Sequence, residues 1–266
     1  MKVEQAKQIA SRAIEQLGDA LERGHSELLR NYLSAMGKFH RYSLRNLMLI
    51  LSQRPDATRV AGYQTWKQLG RCVKKGAKGI LILAPIVVKK TDHKISQEKG
   101  SVRIAVGFHA VYVFDVTDTD GEPLPELEDV QGDPGGYTEH LKRFVAERGI
   151  QLEYSNEIYP AQGQCAAGKI VLLPGLSPAE EFATLAHETA HSLLHRKERR
   201  TDTSKRVRET EAEAVAYVVC EAIGLQARGS VEYIQLYTGD KDTLAESLER
   251  VQRASAEILE AITPDS

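Results

Sequence analysis

The chain has 266 residues, of which 42% are hydrophobic and 27% are charged, and its formal net charge is −2. This length is sufficient for one large domain or for two domains of ordinary size, each with its own core. The longest apolar runs, GILILAPIVV and AVAYVVC, are too short to cross a bilayer, so the sequence predicts no transmembrane helix.

The cysteines and the first residues indicate the compartment. Cys72, Cys165 and Cys220 lie far apart and form no C-x-x-C pair, which disfavours both a disulfide framework and a cysteine-based zinc site. The start, MKVEQAKQIASRAIEQLGDALERG, mixes acidic and basic residues at helical spacing and lacks the apolar core of a signal peptide. We therefore expect a soluble, cytoplasmic protein with reduced thiols.

In chain order, the first half predicts helices followed by strands. Apolar residues recur at helical spacing over residues 3–22 and 26–36, and SLRNLMLILSQRP predicts a third helix that ends before Pro55. The segments KGILILAPIVVKK and SVRIAVGFHAVYVFDV are rich in β-branched residues and flank a polar stretch, which predicts a long antiparallel hairpin. Residues 1–125 are thus predicted to form an α+β domain.

A linker is predicted where the composition changes. The stretch GEPLPELEDVQGDPGGY combines proline, glycine and acidic residues, and we place a linker over residues 126–136 and a second domain over 137–266. That domain contains a predicted helix that stops at Gly149, a strand in GKIVLLPG, and later helices near 206–223 and 242–262. It is expected to be mostly helical with a small sheet, so the fold class of the whole chain is α+β.

Charge is distributed unevenly between the two halves. Residues 1–125 hold 20 lysines and arginines against 12 acidic residues, whereas residues 126–266 hold 15 against 25. Residues 38–90 alone carry 12 basic side chains and a single acid, Asp56. Such a distribution attracts polyanions through counterion release and electrostatic steering, so we expect the first half to contact nucleic acid.

The segment SPAEEFATLAHETAHSLLH carries the clearest chemical motif. Ser177 as N-cap, Pro178 at the first helical position and Glu180 three residues after the cap predict a helix start. On that helix His187 and His191 are one turn apart and differ by about 40° around the axis, so both imidazoles can reach one metal ion.

This H-E-x-x-H arrangement is that of the zincin metallohydrolases. Zinc held by three protein ligands lowers the pKa of a bound water to about 7, and an adjacent carboxylate can accept its proton. We predict Zn²⁺ as the cofactor, His187 and His191 as ligands and Glu188 as general base. The alternative is a set of polar residues on a helix that binds no metal.

The next predicted helix, RVRETEAEAVAYVVCEAIGL, offers a third ligand. Glu209 continues the apolar face of that helix by one turn, which favours a gluzincin-like site with Glu209 as ligand. Glu213, one turn further, is predicted to orient a ligating histidine. A ligand role for Glu211 or Glu213 stays open, as does a solvated acidic stripe. His195 is expected at the surface or behind a ligand.

The basic half combines cationic and aromatic side chains. Aromatic faces can stack bases while basic residues hold phosphates, as in proteins that bind single strands without sequence preference. The alternative is that the tryptophan is a core residue and the lysines are only solvated. The candidate DNA-binding residues are Arg41, Arg45, Tyr63, Trp66, Arg71, Lys74, Lys75 and Lys78.

Two segments of the first half resemble a known family. YSLRNLMLILSQRPDATRVAGYQTWKQLGRCVKKGAKGILILAP, followed by VYVFDVTDTDGEPLPEL, is similar to the N-terminal domain of the ArdC-type antirestriction proteins. The resemblance implies that this domain binds single-stranded DNA and that the C-terminal domain is a zincin-like metallopeptidase of the SprT and IrrE type. HETAH and ETEAEAVAYVV resemble the zinc-binding elements of the family at His187, Glu188, His191 and Glu209.

The resemblance also implies a cellular role. Single-stranded DNA and proteins bound to it would be the partners, and the protein would shield incoming DNA from restriction or process proteins attached to DNA. A DNA-binding protection protein whose metallopeptidase-like fold is only a scaffold is the competing hypothesis. Glu188 disfavours it, because a purely structural metal site needs no general base.

Overall fold

The structure is a computed structural model that describes residues 2–23, 27–91, 101–122, 132–166, 168–195, 199, 202–225 and 241–263. The predicted α+β class is confirmed, with helices and small sheets along the chain. None of the helices in these ranges has both the length and the apolar character that a membrane span requires.

The contacts divide the chain into two units whose boundaries differ from those of the predicted domains. Unit 1 comprises residues 1–13 and 48–124, and unit 2 comprises residues 14–47 and 125–266. A break near residue 125 agrees with the predicted linker, of which residues 126–131 lie outside the described ranges. Residues 14–47, which were predicted to belong to the N-terminal domain, have most of their contacts with the C-terminal half.

The main feature of unit 1 is the predicted hairpin. Strand β3 (Ile80–Thr91) pairs antiparallel with residues 101–113 of β4 (Ser101–Asp115), with a register shift after Ile86. A short strand, β1 (Val60–Gly62), pairs with the other edge of β4, and β2 (Arg71–Val73) pairs separately with β5 (Thr119–Gly121).

Two side chains, Gln53 and Trp66, connect helices to this hairpin through hydrogen bonds. The helices that contribute to the unit are α1 (Lys2–Glu22), α3 (Leu44–Gln53) and α4 (Tyr63–Gln68), the first two of which continue into unit 2. The Gln53 amide donates to the carbonyl of Leu81 and accepts from its N–H, both at 2.9 Å, which satisfies backbone groups of an edge strand. The Trp66 indole donates to the carbonyl of Phe114 at 2.9 Å.

Unit 2 surrounds one central helix. Its elements are α2 (Glu27–Lys38), α5 (Tyr137–Glu147), β6 (Gln151–Tyr154), β7 (Gly163–Ala166), β8 (Lys169–Leu172), α6 (Pro178–Leu194), α7 (Lys205–Ala222) and α8 (Lys241–Ile262). Helix α7 packs against α2, α6 and α8, and nearly all of its residues from Thr210 to Cys220 are buried. The sheet has the order β6-β8-β7, with β8 parallel to β6 and antiparallel to β7.

Local sequence explains why α6 and α2 lie where they do. Helix α6 begins with the predicted capping box, in which Ser177 and Glu180 satisfy each other's backbone N–H groups. In α2, Gly37 allows close approach to α7, because a Cβ atom there would lie 3.0 Å from the Val218 carbonyl oxygen and 3.1 Å from the Ala222 Cβ.

Candidate metal centre

Three side chains from α6 and α7 converge in unit 2. The Nε2 atoms of His187 and His191 are 3.1 Å apart, as expected for residues one helical turn apart on the same face. The Glu209 Oε2 atom lies 3.6 Å from the first and 3.4 Å from the second. The structure thus brings together the three predicted ligands, which form a group that could hold a metal ion.

The spacing of these atoms fits a divalent metal. The nearest point equidistant from three atoms separated by 3.1, 3.4 and 3.6 Å is about 2.0 Å from each of them. That value falls within the range of zinc–imidazole and zinc–carboxylate distances. Two imidazoles and one carboxylate are also a donor set that suits zinc and related divalent metals.

Glu213 lies behind the first histidine, in the place predicted for it. Its Oε2 atom is 3.2 Å from the Nδ1 atom of His187. Burial by itself lowers the pKa of His187, but the carboxylates of Glu209 and Glu213 outweigh it and raise the pKa to about 9. For His191, burial and the nearby charge of His187 lower the pKa to about 4. The adjacent imidazole of His187 lowers the pKa of Glu209 to about 2.

Glu188 lies beside the cluster and is nearly buried. Burial raises the pKa of its carboxyl group to about 7, against the lowering effect of His187 and with the support of the Glu209 charge. Gly163 of β7 touches it closely: a Cβ atom at this position would lie 2.8 Å from the Glu188 Oε1 atom and 2.6 Å from the Thr184 Cγ2 atom. Only glycine lets β7 run so near the carboxylate.

The cluster opens into a cleft of about 910 Å³ within unit 2. Among its lining residues are Gln162, Gly163, Thr184, His187, Glu188, Glu209, Glu213, Ala216, Tyr217 and Cys220. A cleft of this size that contains a carboxyl group with a strongly shifted pKa is typical of a binding or catalytic site.

His195 and Glu211 form a second, fully buried group behind His191. The His195 Nδ1 atom lies 2.9 Å from the His191 Nδ1 atom, and its Nε2 atom lies 2.9 Å from the Glu211 Oε2 atom. Glu211 therefore points away from the candidate ligands. Its further partners, Arg199 and Ser247, were not identified from the sequence, since nothing in their local pattern links them to a site 12 and 36 residues away.

The candidate DNA-binding residues are placed unevenly. Tyr63 is 55% exposed, and Lys75 and Lys78 are exposed in the same unit. Arg71 and Lys74 are engaged within the fold: Arg71 donates to Thr119, and Lys74 donates to the Thr117 carbonyl. Arg41 and Arg45 are exposed but belong to unit 2.

Trp66 does not offer a stacking face in this structure. It is 2% exposed, and its indole N–H is bonded within the core of unit 1. The interpretation of Trp66 as a DNA-stacking residue is therefore corrected. Exposed aromatic rings occur instead on β4, where Phe108 and Tyr112 are about half exposed. Their strand was predicted, but its exposed face was not recognised.

Comparison with known proteins identifies the first half of the chain. Residues 4–114 match the family model of the N-terminal domain of the anti-restriction factor ArdC. An uncharacterized protein of Bacillus anthracis, pXO2-81, is 27% identical over 273 residues, covering 85% of this chain and 46% of the relative. The chain thus spans about half the length of that curated relative.

One solved structure is similar in fold to most of the chain. The crystal structure of the antirestriction protein ArdC from plasmid R388 in its metal-free form has a TM-score of 0.54 and 21% identity, with 97% of each chain covered. The Mn(II)-bound crystal structure of the same protein has a TM-score of 0.47 and 20% identity, covering 88% of this chain and 99% of that one.

Proposed function

Because the chain is an ArdC-type protein, with the N-terminal domain of that family over residues 4–114, we propose that it binds single-stranded DNA and hydrolyses proteins on that DNA. Unit 1 supplies DNA binding, and unit 2 supplies a metal-dependent peptidase. The observation that carries the peptidase part is the convergence of His187, His191 and Glu209 beside Glu188 in one cleft.

The proposed chemistry depends on the three ligands and one base. A divalent metal such as Zn²⁺, held by His187, His191 and Glu209, would polarise a peptide carbonyl and acidify water. Glu188 accepts a proton at its carboxylate and delivers it to the leaving amine. Burial raises the pKa of this carboxyl group, which makes it a stronger base. Glu213 orients the His187 ring through Nδ1.

Strand β7 supports an extended peptide as substrate. It forms one edge of the three-stranded sheet, and an edge strand can pair with an added strand through backbone hydrogen bonds. At Gly163 it lies against Glu188, so a peptide paired with β7 would pass next to the candidate base. This favours unfolded or flexible protein segments as substrates over small molecules.

The metal site is tested by metal analysis. We expect the purified protein to bind about one equivalent of zinc, and His187→Ala or His191→Ala to bind well below one, because each variant loses one of three ligands. Zinc and manganese contents are measured after dialysis against each metal, with Lys205→Gln as a surface control. A wild-type protein that binds neither metal would remove the peptidase proposal.

DNA binding by unit 1 is supported by charge and by exposed aromatic rings. Residues 38–90 carry 12 basic side chains against one acid, and the exposed members in unit 1 include Lys75 and Lys78. Tyr63, Phe108 and Tyr112 present exposed rings in the same unit. Rings and cations together bind single strands without reading the sequence.

The electrostatic part of DNA binding is tested by its salt dependence. For single strands the slope of log K against log salt is about −0.7 per phosphate contact, so Lys75→Gln with Lys78→Gln should reduce its magnitude by about 1.4. Fluorescence anisotropy with an oligonucleotide at several salt concentrations measures the slope. The control, Lys205→Gln with Arg206→Gln, removes the same charge from exposed sites of unit 2.

If both double variants bind like the wild type, the DNA site lies elsewhere on the protein. The stacking part is tested by Tyr63→Ala, which should weaken binding by about 1–3 kcal/mol without changing the salt slope.

A further inference from the structure

A buried polar cluster lies directly behind the candidate ligand His191. It consists of His195 at the end of α6, Glu211 on α7, Arg199 and Ser247, a residue of α8. The side chains of His195 and Glu211 are 0% and 1% exposed. Three polar side chains thus meet at the Glu211 carboxylate, which takes no part in the candidate ligand set.

Glu211 accepts hydrogen bonds from every one of its partners. Arg199 donates to both carboxylate oxygens at 2.6 Å, and Ser247 donates to Oε1 at 2.7 Å. Because guanidinium groups only donate, this bidentate pair marks Glu211 as an ionised acceptor. The Nε2 atom of His195, 2.9 Å from Glu211 Oε2, therefore carries the hydrogen and donates it.

This arrangement determines which of the remaining ring nitrogens of His195 and His191 carries a hydrogen. Arg199 already matches the charge of Glu211, so a neutral His195 leaves the buried cluster without net charge. A neutral imidazole with its hydrogen on Nε2 has a lone pair on Nδ1. Since the His195 Nδ1 atom lies 2.9 Å from the His191 Nδ1 atom, the hydrogen between them belongs to His191.

We infer that Glu211 acts through His195 as a positioning pair that holds His191 in the tautomer whose Nε2 lone pair faces His187 and Glu209. This inference rests on the proposed metal site. Both candidate histidine ligands are then oriented by a carboxylate. Glu213 acts on His187 directly, whereas Glu211 acts on His191 through an intervening histidine.

The cluster also fixes the direction of the His191 ring. Both ring nitrogens of His195 are hydrogen-bonded, Nδ1 to His191 and Nε2 to Glu211. The His195 ring is therefore held in one orientation, and so is the His191 ring that it contacts. Arg199 and Ser247 in turn hold the Glu211 carboxylate from two sides. Loss of the acceptor at His195 would leave the His191 Nδ1–H group without a partner and allow the other tautomer.

Two substitutions of His195 separate hydrogen bonding from packing. In His195→Asn the amide oxygen can occupy the position of Nδ1 and accept from His191, whereas His195→Leu fills similar space without an acceptor. Zinc affinity is measured by competition with a chromophoric chelator. We expect His195→Leu to weaken zinc binding about 10–100-fold and His195→Asn to stay within a few-fold of the wild type. Equal affinities of the two variants would overturn the inference.

The tautomer itself can be measured without any metal. Long-range ¹H–¹⁵N correlation spectra of the metal-free wild-type protein should show His191 with its hydrogen on Nδ1, and His195→Leu should shift the population towards the Nε2–H form. Wild-type His191 with its hydrogen on Nε2 would overturn the inference even if zinc binds. Failure of the proposed function is distinguishable, because a protein that binds no zinc still yields this spectrum.

Discussion

We expect Glu188→Gln to lower the rate of peptide hydrolysis by about 10²–10⁴-fold while the metal content, the fold and DNA binding stay unchanged. The amide is nearly isosteric with the carboxyl group, and Glu188 is not among the three candidate ligands. An amide nitrogen or oxygen cannot accept a proton at neutral pH, so the variant loses the base and keeps the cleft.

The matched control is Glu180→Gln. Glu180 lines the same cleft on the same helix, and glutamine at that position retains a capping box. Cleavage of a protein bound to single-stranded DNA, and self-cleavage, are compared for the wild type and both variants, with and without DNA. Equal cleavage by the wild type and Glu188→Gln would show that Glu188 is not the base. No cleavage by a metal-loaded wild type would favour a protection protein without catalysis.

The candidate metal centre could be predicted from sequence because helical periodicity fixes it. Within one helix, the positions of His187, Glu188 and His191 follow from the 3.6-residue repeat once the capping box has identified the helix. Glu209 could be selected because it continues the apolar face of the next helix, which packs on the first. Both inferences concern local geometry, which a sequence specifies well.

The cluster behind His191 could not be predicted, because tertiary packing creates it. Helical spacing directs Glu211 to a different side of α7 from Glu209. Whether that direction leads to solvent or to a second buried group depends on Arg199 and on Ser247 of α8, which packs against α7. Likewise β6 and β7, QLEY and GQCA, are only four residues long, which is too short for hydrophobic periodicity to identify a strand.

Trp66 illustrates a different limit. Its aromatic and basic neighbours gave it the composition of a nucleic-acid site, but composition does not tell which side of a short helix faces the core. In α4 it is Trp66 that is buried, while Tyr63 is exposed. Both rings have basic neighbours in the sequence, so composition alone cannot show which of the two is exposed.

Residues 14–47 are expected to be indispensable for the fold of the C-terminal half, so a fragment of residues 126–266 should fail to fold. Helix α2 buries Leu29, Tyr32, Leu33 and Met36 in unit 2, where it packs on α7. At about 1.5–3 kcal/mol for each buried side chain, their loss approaches the whole stability of a typical domain, about 5–15 kcal/mol. Circular dichroism and thermal unfolding of the fragment and of the full chain measure the effect.

The contact between α2 and α7 can also be tested in the full chain, by adding a side chain at Gly37. Gly37→Val should lower the free energy of unfolding by about 1–3 kcal/mol, because its side chain would meet the Val218 carbonyl and Ala222 across the α2–α7 contact. Gly62→Val is the matched control, since that glycine has extended backbone angles and no atom within 4 Å of an added Cβ. Cooperative unfolding of fragment 126–266 at the temperature of the full chain would contradict the assignment of residues 14–47 to unit 2. If the fragment unfolds cooperatively and Gly37→Val is also as stable as the wild type, packing of α2 on α7 does not stabilise the C-terminal half.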